Sequence, residues 1–224
     1  MMATLLLHDC FLCGATTKAT LLCDECQHDL PNAAPLSCPV CALPTPNGGV
    51  CGACLKRSPH FDETRCCFRY AFPVDRLIQA LKFKHNLALS GFFAAALLDS
   101  VSSMRSRNDL LLALPLSFQR LQARGFNQAV EIARPLAKSL RVPLQTAGYR
   151  RCKDTAAQTS LPWKERQKNV RDAFECDIDL TGKSLIVVDD VMTTGATLNE
   201  FARTLKKHGA TKVTNLVVAR AYRD

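Results

Sequence analysis

Leu185-Ile-Val-Val-Asp-Asp-Val-Met-Thr-Thr-Gly-Ala-Thr-Leu198 carries more structural information than any other stretch of the chain. Residues 183–189 are mostly apolar, as in a strand buried on both faces of a parallel sheet. Two carboxylates, Asp189 and Asp190, then arrive at the strand's C-terminal end, where open α/β sheets place their ligands. A turn of Thr193, Thr194 and Gly195 leads into an amphipathic helix over residues 195–208, stopped by Gly209. Small residues let backbone N–H groups converge on a phosphate, and the helix dipole favours the anion. Threonine hydroxyls add donors, while carboxylates beside such a site suit sugar hydroxyls or a magnesium ion held through water. A purely structural role, with the aspartates capping the helix, needs fewer polar residues than this stretch contains.

Working outward, the same grammar repeats. Residues 109–115 are short and apolar, 142–146 and 213–219 read as further strands, and 126–140 have helical spacing. Residues 72–98 also read as helical, with apolar Leu77, Ile78, Leu81 and Phe83 and an expected break near Ser90-Gly91. A helix is expected over 163–171, after a polar, non-periodic loop at 151–162. Strands alternating with helices predict right-handed βαβ units: an α/β domain with a parallel sheet flanked by helices.

The N-terminal part is different. Cys10/Cys13, Cys23/Cys26, Cys38/Cys41 and Cys51/Cys54 form four C-x2-C pairs, and a shift of 28 residues maps the first four onto the second four. Each quartet can enclose one tetrahedral zinc ion. Prolines and glycines fill the intervals, so metal must supply much of the folding energy. A disulfide framework fits poorly with a start, MMATLLLHDC, that has no basic secretion signal, and four evenly repeated pairs do not resemble a redox site. The duplication favours sequential quartets, although interleaved pairing satisfies the spacing too. His8 and His28 are left out because four thiolates complete each site. Cys66, Cys67, Cys152 and Cys176 read as small core residues. The boundary is placed between a module at 1–64 and a domain at 65–224.

The net charge of +9 is uneven: residues 120–171 hold 12 basic and 3 acidic side chains. This points to a phosphate-bearing partner, with a solvated helix face as the plain alternative. The longest apolar runs are too short to span a bilayer, so no membrane insertion and a cytoplasmic location are expected.

The 185–198 stretch resembles the signature of type I phosphoribosyltransferases. The resemblance implies that Asp189 and Asp190 hold the ribose hydroxyls of phosphoribosyl pyrophosphate (PRPP), and that Thr193, Thr194, Gly195, Ala196 and Thr197 wrap its 5′-phosphate. Two more segments match, Arg120-Leu-Gln-Ala-Arg-Gly-Phe-Asn-Gln128 and Lys153-Asp-Thr-Ala-Ala-Gln-Thr-Ser-Leu161 leading to Arg166 and Asn169. With the cysteine module, these resemble the ComF/GntX family of competence and DNA-utilisation proteins over nearly the whole chain. Arg120 and Arg124, at a strand end, offer guanidinium forks suited to pyrophosphate. The loop carrying Lys153, Thr155, Gln158 and Thr159 is the expected mobile hood, with Lys153 and Arg166 in catalytic roles. Lys82 could also face the site, with a snorkelling helix lysine as the favoured reading.

The resemblance implies a double zinc ribbon, magnesium arriving with PRPP, and transfer of phosphoribose to a base-like acceptor. Two alternatives stay open: a PRPP or nucleotide sensor without chemistry, and a single-stranded-DNA-binding component beside competence proteins such as the DNA-uptake helicase. Only Phe126, Tyr149 and Trp163 offer aromatic stacking in the basic window.

Overall fold

The computed structural model describes residues 7–18, 20–101, 108–153 and 170–222. Its centre is a five-stranded sheet in the order β3 (Glu63–Arg69), β9 (Lys212–Arg220), β8 (Ser184–Met192), β4 (Leu110–Ala113), β5 (Leu144–Gln145). Every neighbouring pair is parallel. Strand alternation sorts the apolar residues to two faces. Leu111, Ile186, Val188, Leu216 and Val218 pack under α3 (Val74–Phe83), α4 (Ala88–Val101) and α6 (Gln128–Leu140). Leu112, Leu185, Val187, Val213 and Val217 pack under α7 (Ala196–Lys207) and the antiparallel pair β6 (Tyr149–Arg151) and β7 (Phe174–Cys176). Phe201 is fully buried there, 5.0 Å from Phe174 and 5.5 Å from Tyr149 between ring centroids. Truncating it to alanine would cost about 3–5 kcal/mol.

The expected α/β architecture is present, with three local differences. The helical region over 72–98 breaks at residues 84–87, where His85 adopts a left-handed φ of 54°, and not at Ser90-Gly91. Leu89, Phe93 and Leu97 recur every four residues on one buried stripe, and this packing carries α4 through the Ser-Gly pair. A short helix, α5 (Phe118–Arg124), and the β6–β7 pair were not anticipated. Cys176 is buried and Cys66 and Cys67 half-buried, but Cys152 is exposed, because it follows the last residue of β6.

The N-terminal module holds the antiparallel pair β1 (Leu7–Asp9) and β2 (Thr16–Lys18) and two single-turn helices, α1 (Asp24–His28) and α2 (Gly52–Lys56). Cys10, Leu22 and Leu30 join the core that contains α3 and α4. Cys38, Cys41, Cys54 and Phe61 join the core beneath α7. The two cysteine knuckles therefore dock on opposite faces of one sheet. The segment between them, residues 31–39, runs along the outer edge of β3. Along it, Arg69 N–H donates to the Pro31 carbonyl (2.7 Å), Ala33 N–H to the Cys67 carbonyl (2.8 Å) and Thr64 N–H to the Pro39 carbonyl (3.0 Å). These bonds satisfy edge groups that would otherwise face solvent. The division drawn between residues 64 and 65 falls inside β3. Among the described residues no helix is long and apolar enough to cross a membrane.

Candidate functional site

The sulfur atoms of Cys10, Cys13, Cys23 and Cys26 all lie within 4.8 Å of one another, as do those of Cys38, Cys41, Cys51 and Cys54. The pairing is sequential. Cys13 Sγ and Cys23 Sγ are 3.7 Å apart and Cys41 Sγ and Cys51 Sγ 3.6 Å, against about 3.8 Å between thiolates on a tetrahedral zinc ion. The duplication reaches single hydrogen bonds: Cys23 N–H donates to Cys10 Sγ and Cys51 N–H to Cys38 Sγ, both at 3.3 Å. Burial opposes ionisation of Cys10, but the backbone N–H groups of Cys23 and Cys13 outweigh it and hold the thiol down at about 6. The same balance holds Cys38 at about 7. Eight thiols arranged this way fit two zinc sites of four thiolates each.

The second site arises where two strands end unequally. β4 stops at Ala113, paired with Val188, whereas β8 continues to Met192. The four extra residues overhang a cleft of about 560 Å³ at the C-terminal end of the sheet. Asp189 and Asp190 lie inside this overhang, 8% and 3% exposed, and are more enclosed than a solvent-facing strand end would make them. Each caps the next amide: Asp190 N–H donates to Asp189 Oδ1 (2.9 Å), and Val191 N–H to Asp190 Oδ1 (2.8 Å). Asp190 Oδ2 has no hydrogen bond of good angle, but Lys82 Nζ from α3 approaches it to 2.5 Å as a counter-charge. Burial, and then the charge of Asp190, push the Asp189 carboxyl well above the usual carboxylate range, against the opposing effect of Lys82.

Below the acids, Gly195 turns the chain at φ 78° into α7. Thr193, Gly195 and Thr197 line the same cleft as the acids. Thr194 and Ala196 border a separate cleft behind the turn, and Ala196 N–H donates to Thr194 Oγ1 (3.1 Å). Arg120 and Arg124 form the opposite wall. They stand one turn apart on α5, which Gly125 terminates in a left-handed conformation. Asn127 then anchors the next helix: its Oδ1 caps Ala129 N–H and its Nδ2 donates to the Leu114 carbonyl, both at 3.0 Å. The Arg124 guanidinium lies over the Phe83 ring, 5.4 Å from its centroid, and its carbonyl is 3.1 Å from His85 Nε2.

Seven of the nine residues expected around PRPP therefore meet at one cleft, and Lys82, His85 and Arg151 join them. The reading of Lys82 as a snorkelling lysine is corrected: it faces Asp190, 108 residues away in sequence. Arg151 sits at the end of β6, 8% exposed; basic character at the loop's flank was its only signal. Lys153 is exposed and donates from Nζ to the Arg171 carbonyl (3.0 Å), away from the cleft wall. Thr155, Gln158, Thr159, Arg166 and Asn169 lie outside the described residues.

Comparison with known proteins agrees with both halves. Residues 1–55 match the family described as Double zinc ribbon domain, and residues 127–223 match Phosphoribosyl transferase domain. The chain is 32% identical to DNA utilization protein YhgH of Escherichia coli (strain K12) over 182 residues, covering 79% of this chain and 80% of that protein. It is 31% identical to Competence protein F of Haemophilus influenzae, covering 76% and 78%. It is 25% identical to Competence protein ComFC of Bacillus subtilis, covering 89% and 84%.

Proposed function

This chain belongs to the family of DNA utilization protein YhgH and Competence protein F, and from that membership we propose that it binds PRPP with magnesium and transfers phosphoribose to a base-like acceptor during use of external DNA inside the cell. One observation carries the reading: an acidic pair and a glycine turn share a cleft with Lys82, Arg120, Arg124 and Arg151. Four cations against two carboxylates suit a ligand with a phosphate at one end, a pyrophosphate at the other and a diol between them. Asp189 and Asp190 would accept from the ribose hydroxyls. The turn at Thr193–Gly195 would receive the 5′-phosphate, and Arg120 and Arg124 the pyrophosphate.

In the transfer, a nitrogen nucleophile attacks ribose C1 while its bond to pyrophosphate breaks. Negative charge grows on the leaving group, and the arginines' task is to stabilise it. Magnesium bound with the pyrophosphate would supply further charge neutralisation, and Asp189 and Asp190 would be the acids to hold it through water. Lys153 and Arg166 remain the proposed catalytic pair of the hood.

A non-catalytic PRPP sensor is the second reading. It is favoured by the position of Lys153, whose ammonium is engaged by the Arg171 carbonyl. Calorimetry with PRPP and magnesium should give saturable binding that weakens about 100-fold in the Asp189→Asn, Asp190→Asn double variant. Unchanged affinity would overturn the ribose assignment. Phosphorus NMR with a panel of bases then separates the two readings: pyrophosphate release supports the transferase, and binding without release the sensor.

A further inference from the structure

We propose that Arg220 is a positioning residue through which the second zinc knuckle shapes the phosphate-binding turn. The inference rests on the reading of residues 193–195 as that turn. Arg220 ends β9 and is 2% exposed. Its guanidinium lies within hydrogen-bond reach of four backbone carbonyls. The two N–H groups of Nη1 are shared among those of Met192 (2.9 Å), Thr193 and Ala221 (2.9 Å), while Nε donates to that of Cys41 (2.9 Å). Met192 is the last residue of β8, Thr193 opens the turn, and Cys41 is a ligand of the second zinc site. One side chain thus joins the base of the turn to a metal ligand's own peptide.

The direction of these bonds matters. In a trans peptide the carbonyl of one residue and the N–H of the next point opposite ways. Arg220 borders the rear cleft, with Cys41 and Cys54, and not the cleft that holds the acidic pair. The Met192 carbonyl is held by Ala221 N–H as well (3.0 Å). With the Met192 and Thr193 carbonyls drawn toward Arg220, the N–H groups of Thr193 and Thr194 would point away from it, toward the ligand cleft. An anion-binding turn needs its amides converging and its carbonyls turned away. A buried guanidinium behind the turn also adds positive potential without occupying ligand space.

Two further contacts from the same side reach the turn. A Cβ on Gly195 would lie 2.5 Å from Met192 Cε and 3.8 Å from Phe61 Cζ, and Phe61 is buried in the core with Cys38, Cys41 and Cys54. His60 N–H donates to Asn199 Oδ1 (2.6 Å) on the first turn of α7. Among the described residues, those the first knuckle buries, Cys10, Leu22 and Leu30, belong to the core on the opposite face.

Amide exchange and 15N shifts at Thr193 and Thr194 test this in the zinc-loaded full chain. Arg220→Lys keeps the charge but cannot span the Cys41 carbonyl and the turn carbonyls with one planar fork. It should retain both zinc ions by elemental analysis, accelerate exchange of these two amides about tenfold or more, and weaken PRPP binding about tenfold. Cys51→Ser, which removes a ligand of the second site, should shift the same amides, whereas Cys23→Ser in the first should leave them where they are. Unchanged turn amides in Arg220→Lys would overturn the proposal, as would equal effects from the two cysteine variants. If Cys51→Ser fails to fold, the Arg220→Lys exchange decides alone. A wild-type protein that ignores PRPP would count against the proposed ligand, while the exchange comparison would still decide whether the knuckle shapes the turn.

Discussion

In the first knuckle Cys10 is the one buried ligand and Cys13 is exposed; in the second, Cys38, Cys41 and Cys54 are all buried and Cys51 is half-exposed. The spacing, the sulfur geometry and one N–H to sulfur bond are the same in both, while the first alone adds a cap from Cys26 N–H to Cys23 Sγ (3.5 Å). What differs is the surface each meets. The chain between them crosses the edge of β3, so one copy lands on the α3–α4 face and the other beneath α7. Duplication copied the local chemistry of metal binding, and the sheet assigned each copy its neighbours. A metal site's coordination is a property of a few adjacent residues, but its influence depends on what its outer surface touches.

Loss of one ligand should break this symmetry most visibly. Both Cys23→Ser and Cys51→Ser should lower zinc content from two ions to about one, since each site needs all four thiolates. Cys51→Ser should depress the thermal midpoint by about 10 °C or more, because three of its four ligands are buried in the central core. Cys23→Ser should cost about half as much. Under a chelator the first site should empty before the second. Equal midpoints, or the reverse order of zinc release, would show that burial does not distinguish the copies.

Each face also sends a cation toward the site: half-buried Lys82 from the first knuckle's face to a carboxylate, and buried Arg220 from the second's to carbonyls. Lys82→Met leaves Asp190, 4% exposed at its side chain, without its counter-charge. This should cost about 3 kcal/mol, or about 6–12 °C in midpoint, with both zinc ions retained. A midpoint within a degree of wild type would mean that water or another cation replaces the lysine.

The smallest effect concerns Asp189. Its folded-state affinity for a proton is raised by burial and then by Asp190. The sign follows: the carboxyl places no burden on the fold below its unfolded value of about 3.9, and destabilises the fold as pH climbs toward the raised folded value. Asp189→Asn should therefore raise the ligand-free midpoint by about 2–4 °C at pH 7.5, and the gain should vanish near pH 4. A loss of stability at neutral pH would mean that the carboxylate is a net structural support.

The order in which features could be read from sequence follows their range. The strand, acids and turn at 185–198 and the cysteine quartets declare themselves because their parts are neighbours along the chain. Lys82 did not, because a helix lysine looks the same whether it faces water or a carboxylate brought in by another strand. Arg220 was hidden for the same reason, closing an apolar strand as an ordinary surface arginine would. The placement of Thr194 and Ala196 behind the turn also needed three dimensions, since the pleat and the glycine's left-handed φ decide which side each residue faces. Cys152 shows the converse error, where residue type suggested burial and the strand's end placed it in solvent.

The backbone strap over β3 has a consequence for the cell. Residues 31–39 hold their position between two metal-organised knuckles, and among the described residues they are what pairs with that side of the strand. A newly made chain short of zinc would present a bare seven-residue β-edge, Glu63–Arg69, next to an unfinished core. Such an edge is a template for a second chain. Metal supply would then govern more than ligand binding: zinc-starved protein would self-associate through this strand, and zinc loading would act as its quality control.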